Sequence, residues 1–470
     1  MFFHQRFVPG LAIYSYMVGD EKSKQCAVID PTRDVDEFLE IAKREGLRIT
    51  HILETHVHAD FVSGSAELKA RLGAGVEVVV SGLGGPEWTP PYADVVVRDG
   101  SEISLGTVSL KAIATPGHTP EHVAWALYDH TRSKDVPWLV FTGDFLFVGD
   151  VGRPDLLGEE ARAKLAHQLY RSVFDTLPVL PDFTEIYPGH GAGSLCGKAI
   201  GSRGSSSVGY ERRFSVPLQP SEEAKWVATL LKGMPIAPPY FRRMKAVNSK
   251  GPTIIGPVLP GQRRFTALEV HERVCEHCLV LDVRSKEAFA SAHIPGSINI
   301  PLGSSLPTWA GWVLPYDRPI LIVPDDPADV AEVITHLLRV GFDDVQGYLE
   351  GSLAGWETHG FELARLATNS VHELAAKLGT PSHPPFVLDV RTGSEWNSGH
   401  IKGALHIHGG TLQERMSEVP GDRPVAVVCG SGYRASIASS FLKREGYQDV
   451  TNVLGGMSAW NAAGLPVVQS

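Results

Sequence analysis

The stretch Thr55-His56-Val57-His58-Ala59-Asp60-Phe61 decides how the first part of this chain is interpreted. It follows residues 49–53, an apolar run that is typical of a buried strand ending in a loop. Two imidazoles and a carboxylate therefore meet at the end of one strand. Because imidazole and carboxylate groups are metal ligands, the stretch indicates the beginning of a metal site.

Three more segments have the same form, a strand-like run that ends in a polar loop. A single His-x-His-x-Asp could arise by chance, whereas four such segments in this order predict a metal site. Asp144 is informative because it follows the buried run 138–141, where a carboxylate is costly unless it is paired or coordinated. The three segments are Thr115-Pro116-Gly117-His118-Thr119, Phe141-Thr142-Gly143-Asp144 and Tyr187-Pro188-Gly189-His190-Gly191.

The four segments resemble the metallo-β-lactamase superfamily, and this resemblance implies an αββα sandwich with its metal at one edge. In the hydrolytic members the first motif runs His-x-His-x-Asp-His and serves two metals. This chain has Phe61 in place of the last histidine. The resemblance therefore implies that the second metal position has lost a ligand, which disfavours a two-zinc hydrolase.

For a single metal, the resemblance implies a centre built from His56, His118 and Asp144. Two imidazoles and one carboxylate with open positions are associated with non-haem Fe(II) and oxygen chemistry. Within the superfamily this departure resembles the persulfide dioxygenases, which implies one Fe(II) per domain, with zinc as a competing occupant in purified protein. Three other side chains of the motifs would orient the ligands or the substrate: His58, Asp60 and His190.

Two residues of the neighbouring loops are candidates for contact with a substrate. Arg153 follows the third segment, and it is predicted either to bind a substrate anion or to form an ordinary surface pair with Asp155. Cys196 lies in the glycine-rich turn after the fourth segment, and the fusion enzymes that this chain resembles carry a cysteine in this loop. Backbone amides and Lys198 would favour its thiolate, so Cys196 is predicted either as a substrate-side nucleophile or as a packed loop cysteine.

The last part of the chain contains one unit twice. The run Leu281-Asp282-Val283-Arg284 returns as Leu388-Asp389-Val390-Arg391, and residues 292–297 correspond to residues 399–404. The order of strand, loop and helix in both copies resembles the rhodanese (sulfurtransferase) domain. This resemblance covers nearly all of residues 265–470.

The second copy carries the residues for sulfur chemistry. Its buried run 425–428 leads into Cys429 and a tight turn onto a helix, so that backbone N–H groups and the helix dipole surround the thiol. Because such surroundings lower the pKa of a thiol, Cys429 is predicted to be a nucleophile, with Arg434 binding an anion. Four residues between them would hold an oxyanion or a persulfide: Gly430, Ser431, Gly432 and Tyr433. The loop also resembles that of protein-tyrosine and dual-specificity phosphatases, but the flanking elements favour a sulfurtransferase.

The first copy has no cysteine at the matching position. Its strand, residues 319–323, runs into Asp325 and Asp326, and two carboxylates would repel sulfite or a persulfide anion. This copy is therefore predicted to be inactive and to act as a spacer or docking surface. Cys275 and Cys278 form a lone C-x-x-C nearby, for which we favour a structural role over a zinc site.

Length, charge and cysteine content fit this organisation. A chain of 470 residues suggests about three domains of ~150 residues each. The net charge of −10 is spread out, with no basic run for nucleic acid or a membrane surface. There is no convincing signal peptide, and no apolar run approaches the ~20 residues of a spanning helix. Since five scattered cysteines disfavour a disulfide framework, we expect a reduced, cytoplasmic protein. We also expect it to form homo-oligomers.

We predict an α+β / α/β multidomain architecture. The αββα metallo-β-lactamase sandwich, with its first strand at residues 10–18, takes residues 1–247. A linker rich in Gly and Pro takes residues 248–264. The degenerate rhodanese domain is predicted at residues 265–365 and the active one at residues 366–470.

The order of the domains implies a persulfide dioxygenase coupled to a sulfurtransferase, as in bacterial fusions for sulfide detoxification. The substrates would be O2 and the persulfide of glutathione or another low-molecular-weight thiol, and the products sulfite and thiosulfate. A persulfide on Cys429 could be attacked by sulfite to give thiosulfate, or could supply the dioxygenase. Two alternatives stay open: a zinc thioester hydrolase of the glyoxalase II type fused to rhodanese modules, and a redox or metal sensor whose rhodanese pair is a docking module.

Overall fold

The computed structural model describes residues 1–275, 277–380 and 384–469, which form two compact units. The first unit comprises residues 1–258 and 338–341, and the second comprises the other described residues. The domain boundaries given above stay predictions. The C-x-x-C motif spans residue 276, so the prediction for it lies outside the described residues.

The first sheet of the first unit has six strands. Its strands and the helices between them are β1 (Phe2–Val8), β2 (Ile13–Asp20), β3 (Gln25–Ile29), α1 (Asp36–Glu45), β4 (Arg48–Leu53), α2 (Ser65–Leu72), β5 (Glu77–Ser81) and β6 (Val95–Val97). The strands lie in chain order, and β1 pairs with β2 antiparallel along its whole length. The predicted start of the first strand at Gly10 is therefore wrong, because polar residues 4–6 interrupt the apolar pattern of this edge strand.

The second sheet also has six strands, in the order β12-β11-β10-β9-β8-β7. In chain order these strands and their helices are β7 (Glu102–Ser104), β8 (Val108–Ala114), β9 (Val123–Asp129), β10 (Leu139–Gly143), α3 (Glu159–Arg171), β11 (Glu185–Pro188), β12 (Ser206–Ser207), α4 (Val208–Phe214), α5 (Glu223–Leu231) and α6 (Tyr240–Lys250). β10 and β11 are parallel neighbours, so their carboxyl ends meet at one edge of the sheet.

Three apolar layers hold the first unit together. The inner faces of the two sheets share one core, with Val79 from β5 and Phe141 from β10 among its members. The outer face of the first sheet packs on α1 through Phe38, and the outer face of the second packs on α3 through Leu169. Burial of apolar surface stabilises each layer by about 25 cal/mol per Å². The predicted αββα sandwich is confirmed.

The second unit contains two five-stranded sheets. The third sheet and its helices are β13 (Arg264–Phe265), α7 (Ala267–Cys275), β14 (Leu279–Asp282), α8 (Lys286–Ser291), β15 (Ile298–Asn299), α9 (Leu306–Val313), β16 (Ile320–Val323), α10 (Val330–Arg339), β17 (Val345–Leu349) and α11 (Ser352–Thr358). The fourth comprises β18 (Ala367–Asn369), α12 (Val371–Leu378), β19 (Phe386–Asp389), α13 (Gly393–Asn397), β20 (Leu405–His406), β21 (Val425–Val428), α14 (Tyr433–Arg444), β22 (Val450–Val453) and α15 (Gly456–Ala462).

The two sheets of the second unit have the same topology. Their orders are β13-β17-β16-β14-β15 and β18-β22-β21-β19-β20, and every strand pair in them is parallel. The predicted pair of α/β domains is confirmed. Parallel strands place their carboxyl ends at one edge, where open α/β sheets bind ligands. Within the described residues, no helix combines the length and the apolar character needed to cross a membrane.

Candidate metal centre and sulfur-transfer loop

Loops at the ends of the sandwich strands bring three of the predicted side chains together. His56 follows β4, His118 lies between β8 and β9, and Asp144 follows β10 directly. One ligand atom from each of the three lies within 4.8 Å of the others, and all three side chains are buried. The structure therefore assembles the predicted ligand set at one edge of the sandwich.

The ring orientations of the two histidines leave one nitrogen of each free for a metal. His118 Nδ1 lies 2.9 Å from the carbonyl of Arg153, which has only an acceptor to offer, so Nδ1 carries the proton. His56 Nδ1 lies 2.9 Å from Thr55 Oγ1, and that hydroxyl already donates to Asp30, so this Nδ1 is also the donor. Each Nε2 therefore keeps its lone pair, which is what a metal requires.

The free atoms of this group are buried and face one another. Among the described residues, His56 Nε2, His118 Nε2 and both Asp144 carboxylate oxygens have no hydrogen-bond partner. The two Nε2 atoms lie 4.0 and 3.5 Å from Asp144 Oδ2. Buried polar atoms without partners are costly, and a cation between them would satisfy all of them. The residues present therefore fit a mononuclear metal ion.

The surroundings of the three side chains hold each of them in the protonation state that binds a metal ion. Burial lowers the pKa of both His56 and His118, so both imidazoles are neutral. Burial acts to raise the pKa of Asp144, but His190, His56 and His118 outweigh it and hold that pKa well below its usual range. Neutral imidazoles and an ionised carboxylate are the binding forms of these ligands.

Two glycines make room for the Asp144 loop. A Cβ at position 152 would stand 1.8 Å from the backbone oxygen of Asp144, and one at position 189 would stand 2.6 Å from its Oδ1. Neither neighbour can move without moving the carboxylate. Gly152 and Gly189 are thus part of what positions the third ligand.

His122 supports the same loop, although the sequence analysis did not select it. Its Nε2 accepts the backbone N–H of Asp144 at 3.0 Å, and its Nδ1 lies 2.8 Å from Thr115 Oγ1. The only signal in the sequence was its spacing, four residues after His118. β9 begins at the next residue, and the start of this strand directs the His122 ring toward the Asp144 loop.

His58 forms ion pairs with two carboxylates that the sequence motifs did not include. Its Nε2 lies 3.2 Å from Asp30 Oδ1 and 3.1 Å from Glu54 Oε2. These carboxylates outweigh burial and raise its pKa well above the usual value. Asp30 also accepts the Thr55 N–H at 2.7 Å, so the network fixes the loop that carries His56. No sequence motif marks Asp30 and Glu54, because their contacts with this loop depend on tertiary packing.

Phe61 occupies the position of the missing histidine. Its side chain is fully buried, and its ring centroid lies 4.3 Å from that of His58. An aromatic ring at this position offers no lone pair to a metal ion.

Asp60, His190 and Cys196 form a second buried group beside the first. His190 Nε2 lies 3.3 Å from Asp144 Oδ2 and 3.4 Å from Asp60 Oδ2. Burial disfavours its charge, but these two carboxylates raise its pKa well above the usual value. His190 therefore carries a positive charge between the two carboxylates and forms an ion pair with each of them.

The structure packs Cys196 into the loop, the second of the two alternatives given for it, and it forms the Arg153–Asp155 pair with the arginine buried and not at the surface. Burial raises the pKa of Cys196 to about 12, and Lys198 Nζ instead donates to the carbonyl of Lys232. Arg153 is 2% exposed and forms a buried pair with Asp155, through contacts of 2.7 and 2.8 Å. The tertiary packing covers both residues, which their glycine-rich surroundings did not indicate.

A cavity of about 150 Å³ opens beside the candidate metal centre. His118 and Thr119 line it together with Arg242 and Lys245 from α6. Two cations therefore stand at the approach to a buried, carboxylate-containing centre.

The loop that carries Cys429 begins where β21 ends. Cys429 is buried, and its Sγ accepts the N–H of Gly432 at 3.1 Å. Gly432 has a φ of +93° and caps α14, so the turn needs a residue that adopts left-handed backbone. The predicted strand, tight turn and helix are present around the thiol.

Arg434 is paired within its own domain. Its two terminal nitrogens contact the two oxygens of Glu395 at 2.7 and 2.6 Å. Burial acts to raise the Glu395 pKa, but Arg434 and the Thr392 groups lower it to about 2. The sequence analysis did not anticipate this partner, which comes from α13. In the first copy, one of the two carboxylates at the matching position has a structural role. Asp326 accepts a hydrogen bond from the backbone N–H of Ala328 at 2.8 Å.

Comparison with known proteins agrees with this division of the chain. The profile of the metallo-β-lactamase superfamily matches residues 8–190, and that of the rhodanese-like domain matches residues 266–359 and 370–463. The crystal structure of a metallo-β-lactamase from Staphylococcus aureus subsp. aureus COL is 34% identical, with a TM-score of 0.66, over 74% of this chain and 98% of that chain.

Two curated relatives are named mitochondrial persulfide dioxygenase ETHE1. The Bos taurus protein is 35% identical over 40% of this chain, and the Homo sapiens protein is 34% identical over the same share. The chain spans 66% of the length of each.

Fold and site together define the class, an αββα domain with a buried His/Asp cluster at its edge and a tandem of sulfurtransferase-like domains. The chain belongs to the metallo-β-lactamase superfamily, as a member in which two rhodanese-like domains follow the metallo-β-lactamase domain.

Proposed function

We propose that this protein is a non-haem Fe(II) persulfide dioxygenase joined to a rhodanese-type sulfurtransferase. A persulfide R–S–SH, O2 and water give the thiol R–SH, sulfite and two protons. The outer sulfur is oxidised, O2 is reduced, and the S–S bond breaks so that the inner sulfur leaves as the thiol. Fe(II) held by His56, His118 and Asp144 supplies the redox chemistry with O2.

One observation carries the proposal. The group of His56, His118 and Asp144 presents unpartnered atoms for a single ion, while Phe61 stands where a two-metal hydrolase needs histidine. A set of two imidazoles and one carboxylate with open positions is typical of Fe(II) oxygenases. The names of the bovine and human relatives support the same activity.

The surroundings of the ligand set have supporting roles in this proposal. His190 forms an ion pair with Asp144 and holds its carboxylate in place, with Asp60 as its second ion-pair partner. Arg153 orients His118 through its carbonyl, while its guanidinium is engaged by Asp155 and by the carbonyls of residues 195 and 235. These contacts favour a supporting role for Arg153 over binding of a substrate anion.

The cavity beside the centre favours an anionic persulfide. Arg242 and Lys245 line it together with His118, and a cationic approach attracts carboxylates or phosphates. Glutathione and coenzyme A persulfides both carry such groups. A low-molecular-weight thiol is therefore the proposed carrier of the outer sulfur.

The rhodanese-like tandem uses the sulfur chemistry of the same compounds. A Cys429 thiolate attacks the outer sulfur of thiosulfate, the S–S bond breaks with its electron pair on the departing sulfite, and a Cys429 persulfide remains. In the opposite direction, sulfite takes the outer sulfur from that persulfide and gives thiosulfate. The Gly430–Tyr433 loop holds the anions of both steps.

Oxygen uptake tests the dioxygenase. Zinc binds N/O sites more tightly than Fe(II), so the metal-free protein is reconstituted separately with each metal. We expect O2 consumption with glutathione persulfide by the Fe(II) form only, with sulfite or thiosulfate as product. Cleavage of S-lactoylglutathione by the zinc form, without O2 uptake by the iron form, would instead establish the thioester hydrolase. If the protein were inactive in both assays, the result would favour the alternative of a redox or metal sensor.

A further inference from the structure

The degenerate rhodanese domain packs directly on the sulfur-transfer half of the second unit. Trp312 lies against Gly410, where an added Cβ would stand 2.2 Å from its ring, and Trp309 lies against Gly409. His408 meets the ring of Trp312 edge-on at 5.1 Å. The two copies are therefore joined by a close apolar contact.

The same domain also contacts the helix that begins at the Cys429 loop. The Tyr433 hydroxyl donates to the carbonyl of Pro301 at 3.1 Å. The Ser436 hydroxyl donates to Asn299 Oδ1 at 2.6 Å. Both donors lie in the first turn and a half of α14, so the degenerate domain fixes the position of the loop that precedes it.

Lys286, the first residue of α8 in the degenerate domain, reaches the loop itself. Its Cε lies 3.5 Å from the position of a Cβ on Gly432, and the amide of Gly432 is the one that contacts Cys429 Sγ. The ammonium pairs with Glu287 at 2.7 Å, with the side chains 27% and 62% exposed. Such an exposed pair is weak, so the lysine can exchange this partner for an incoming anion.

The charges of the active domain explain why an added cation matters. Glu395 neutralises Arg434 through two contacts, and Asp389 neutralises Arg391 in the same way. Arg434 lies at the Cys429 loop, 3.0 Å from the position of a Cβ on Gly430, but Glu395 offsets its charge, so a Cys429 thiolate meets a dianionic donor with little net positive charge from this pair. Like charges within a few ångströms repel, and a cation at the mouth offsets that repulsion.

We propose that Lys286 of the degenerate domain is the cationic residue that recruits anionic sulfur compounds, such as thiosulfate and sulfite, to Cys429. The degenerate domain thus completes the site of its neighbour in addition to supporting it. This inference rests on the proposed sulfur transfer at Cys429. Lys286 binds the sulfonate end of the donor, and the bond changes at the outer sulfur are those given above.

Steady-state kinetics of thiosulfate:cyanide sulfur transfer by the full-length protein test this role. Lys286→Gln is expected to raise the KM for thiosulfate about fivefold with little change in kcat, as for loss of one partly exposed charge contact. Lys286→Arg should restore the KM, and the difference should shrink at high salt. Lys402→Gln, at an exposed lysine of the active domain, is the matched control and should leave the KM unchanged. An unchanged KM in Lys286→Gln, or no rescue by arginine, overturns the inference.

Alkylation separates this inference from the proposed function. The rates at Cys429 are measured by mass spectrometry with iodoacetate, an anion, and with iodoacetamide, which is neutral. Lys286→Gln should slow the reaction with iodoacetate only. If that selectivity appears while the wild-type protein transfers no sulfur, the proposed sulfurtransferase is wrong and the recruitment of anions stands. Equal effects on both reagents overturn the role of Lys286, whatever the activity.

Discussion

Glu121 is a residue whose charge the fold disfavours. One of its oxygens accepts the backbone N–H of Val57 at 2.8 Å, within the His56 loop, and the other has no partner among the described residues. Burial raises its pKa to about 7. Between its ordinary pKa of 4.5 and that value, the folded chain keeps a proton that the unfolded chain has lost. The free energy of unfolding therefore falls as pH rises through this window.

Replacement of Glu121 by glutamine tests this pH dependence. Glu121→Gln keeps an acceptor for Val57 and cannot ionise, so it should match the wild type at pH 5 and be more stable at pH 8 by about 3 kcal/mol at most. Calorimetric unfolding at both pH values measures the difference. Glu160→Gln, at an exposed helix position, should show the wild-type dependence. The same fall in stability for Glu121→Gln as for the wild type would contradict the assignment.

At the scale of elements, the contact between Gly410 and α9 is a tightly packed junction between the two rhodanese-like domains. A methyl group at position 410 would stand 2.2 Å from the Trp312 ring, so the ring or the 409–411 turn must shift. Overpacking of this kind costs about 1–3 kcal/mol. Trp312 belongs to the degenerate domain, which also contacts the first residues of α14. The shift would therefore also disturb the Cys429 loop, which precedes α14.

We therefore expect Gly410→Ala to lower the melting temperature of the protein and to slow sulfur transfer by Cys429. Calorimetry and the thiosulfate:cyanide assay check these two effects. Gly393→Ala is the control, since a Cβ there meets no atom within 4 Å and alanine favours the helix that begins at this residue. If both variants melted and reacted like the wild type, the junction would not support the active loop.

The elements also show where sequence patterns suffice. The apolar spacing of Val35, Phe38, Leu39, Ile41 and Ala42 predicts a helix over residues 35–45, and α1 lies at Asp36–Glu45, because this pattern acts within a few residues. β1 escaped prediction because its polar residues are satisfied by distant groups, such as the Thr32 hydroxyl that accepts from Arg6. Partners far along the chain leave no local pattern.

On the scale of the whole molecule, the two proposed centres should be separable. Cys429→Ser should abolish thiosulfate:cyanide sulfur transfer and leave O2 uptake with glutathione persulfide largely intact, with sulfite accumulating in place of thiosulfate. His118→Ala should lose bound iron and O2 uptake but keep sulfur transfer. Oxygen electrode traces, metal content and product analysis of both variants measure this. Loss of both activities in either variant would mean that the two units work as one centre.

The sequence by itself determined which chemical groups are present and in what order. Each of the four segments of the first unit, and Cys429 in the second, follows a strand directly, so a few consecutive residues specify a polar group at a strand's end. The replacement of histidine by Phe61 and the loss of cysteine in the first rhodanese copy are visible in the same local way. For that reason the fold class could be predicted, as could the three buried side chains that the fold brings together as a candidate metal site.

Only the tertiary structure decided which of these groups face one another. It directs His58 to Asp30 and Glu54, pairs Arg434 with Glu395 and brings Lys286 of one copy to Gly432 of the other. These contacts depend on how sheets and helices pack. Lys286 and Gly432, for example, are more than a hundred residues apart in the sequence. Coulomb and hydrogen-bond energies depend on distance in space, so the charge state of each site is fixed only when the chain has folded.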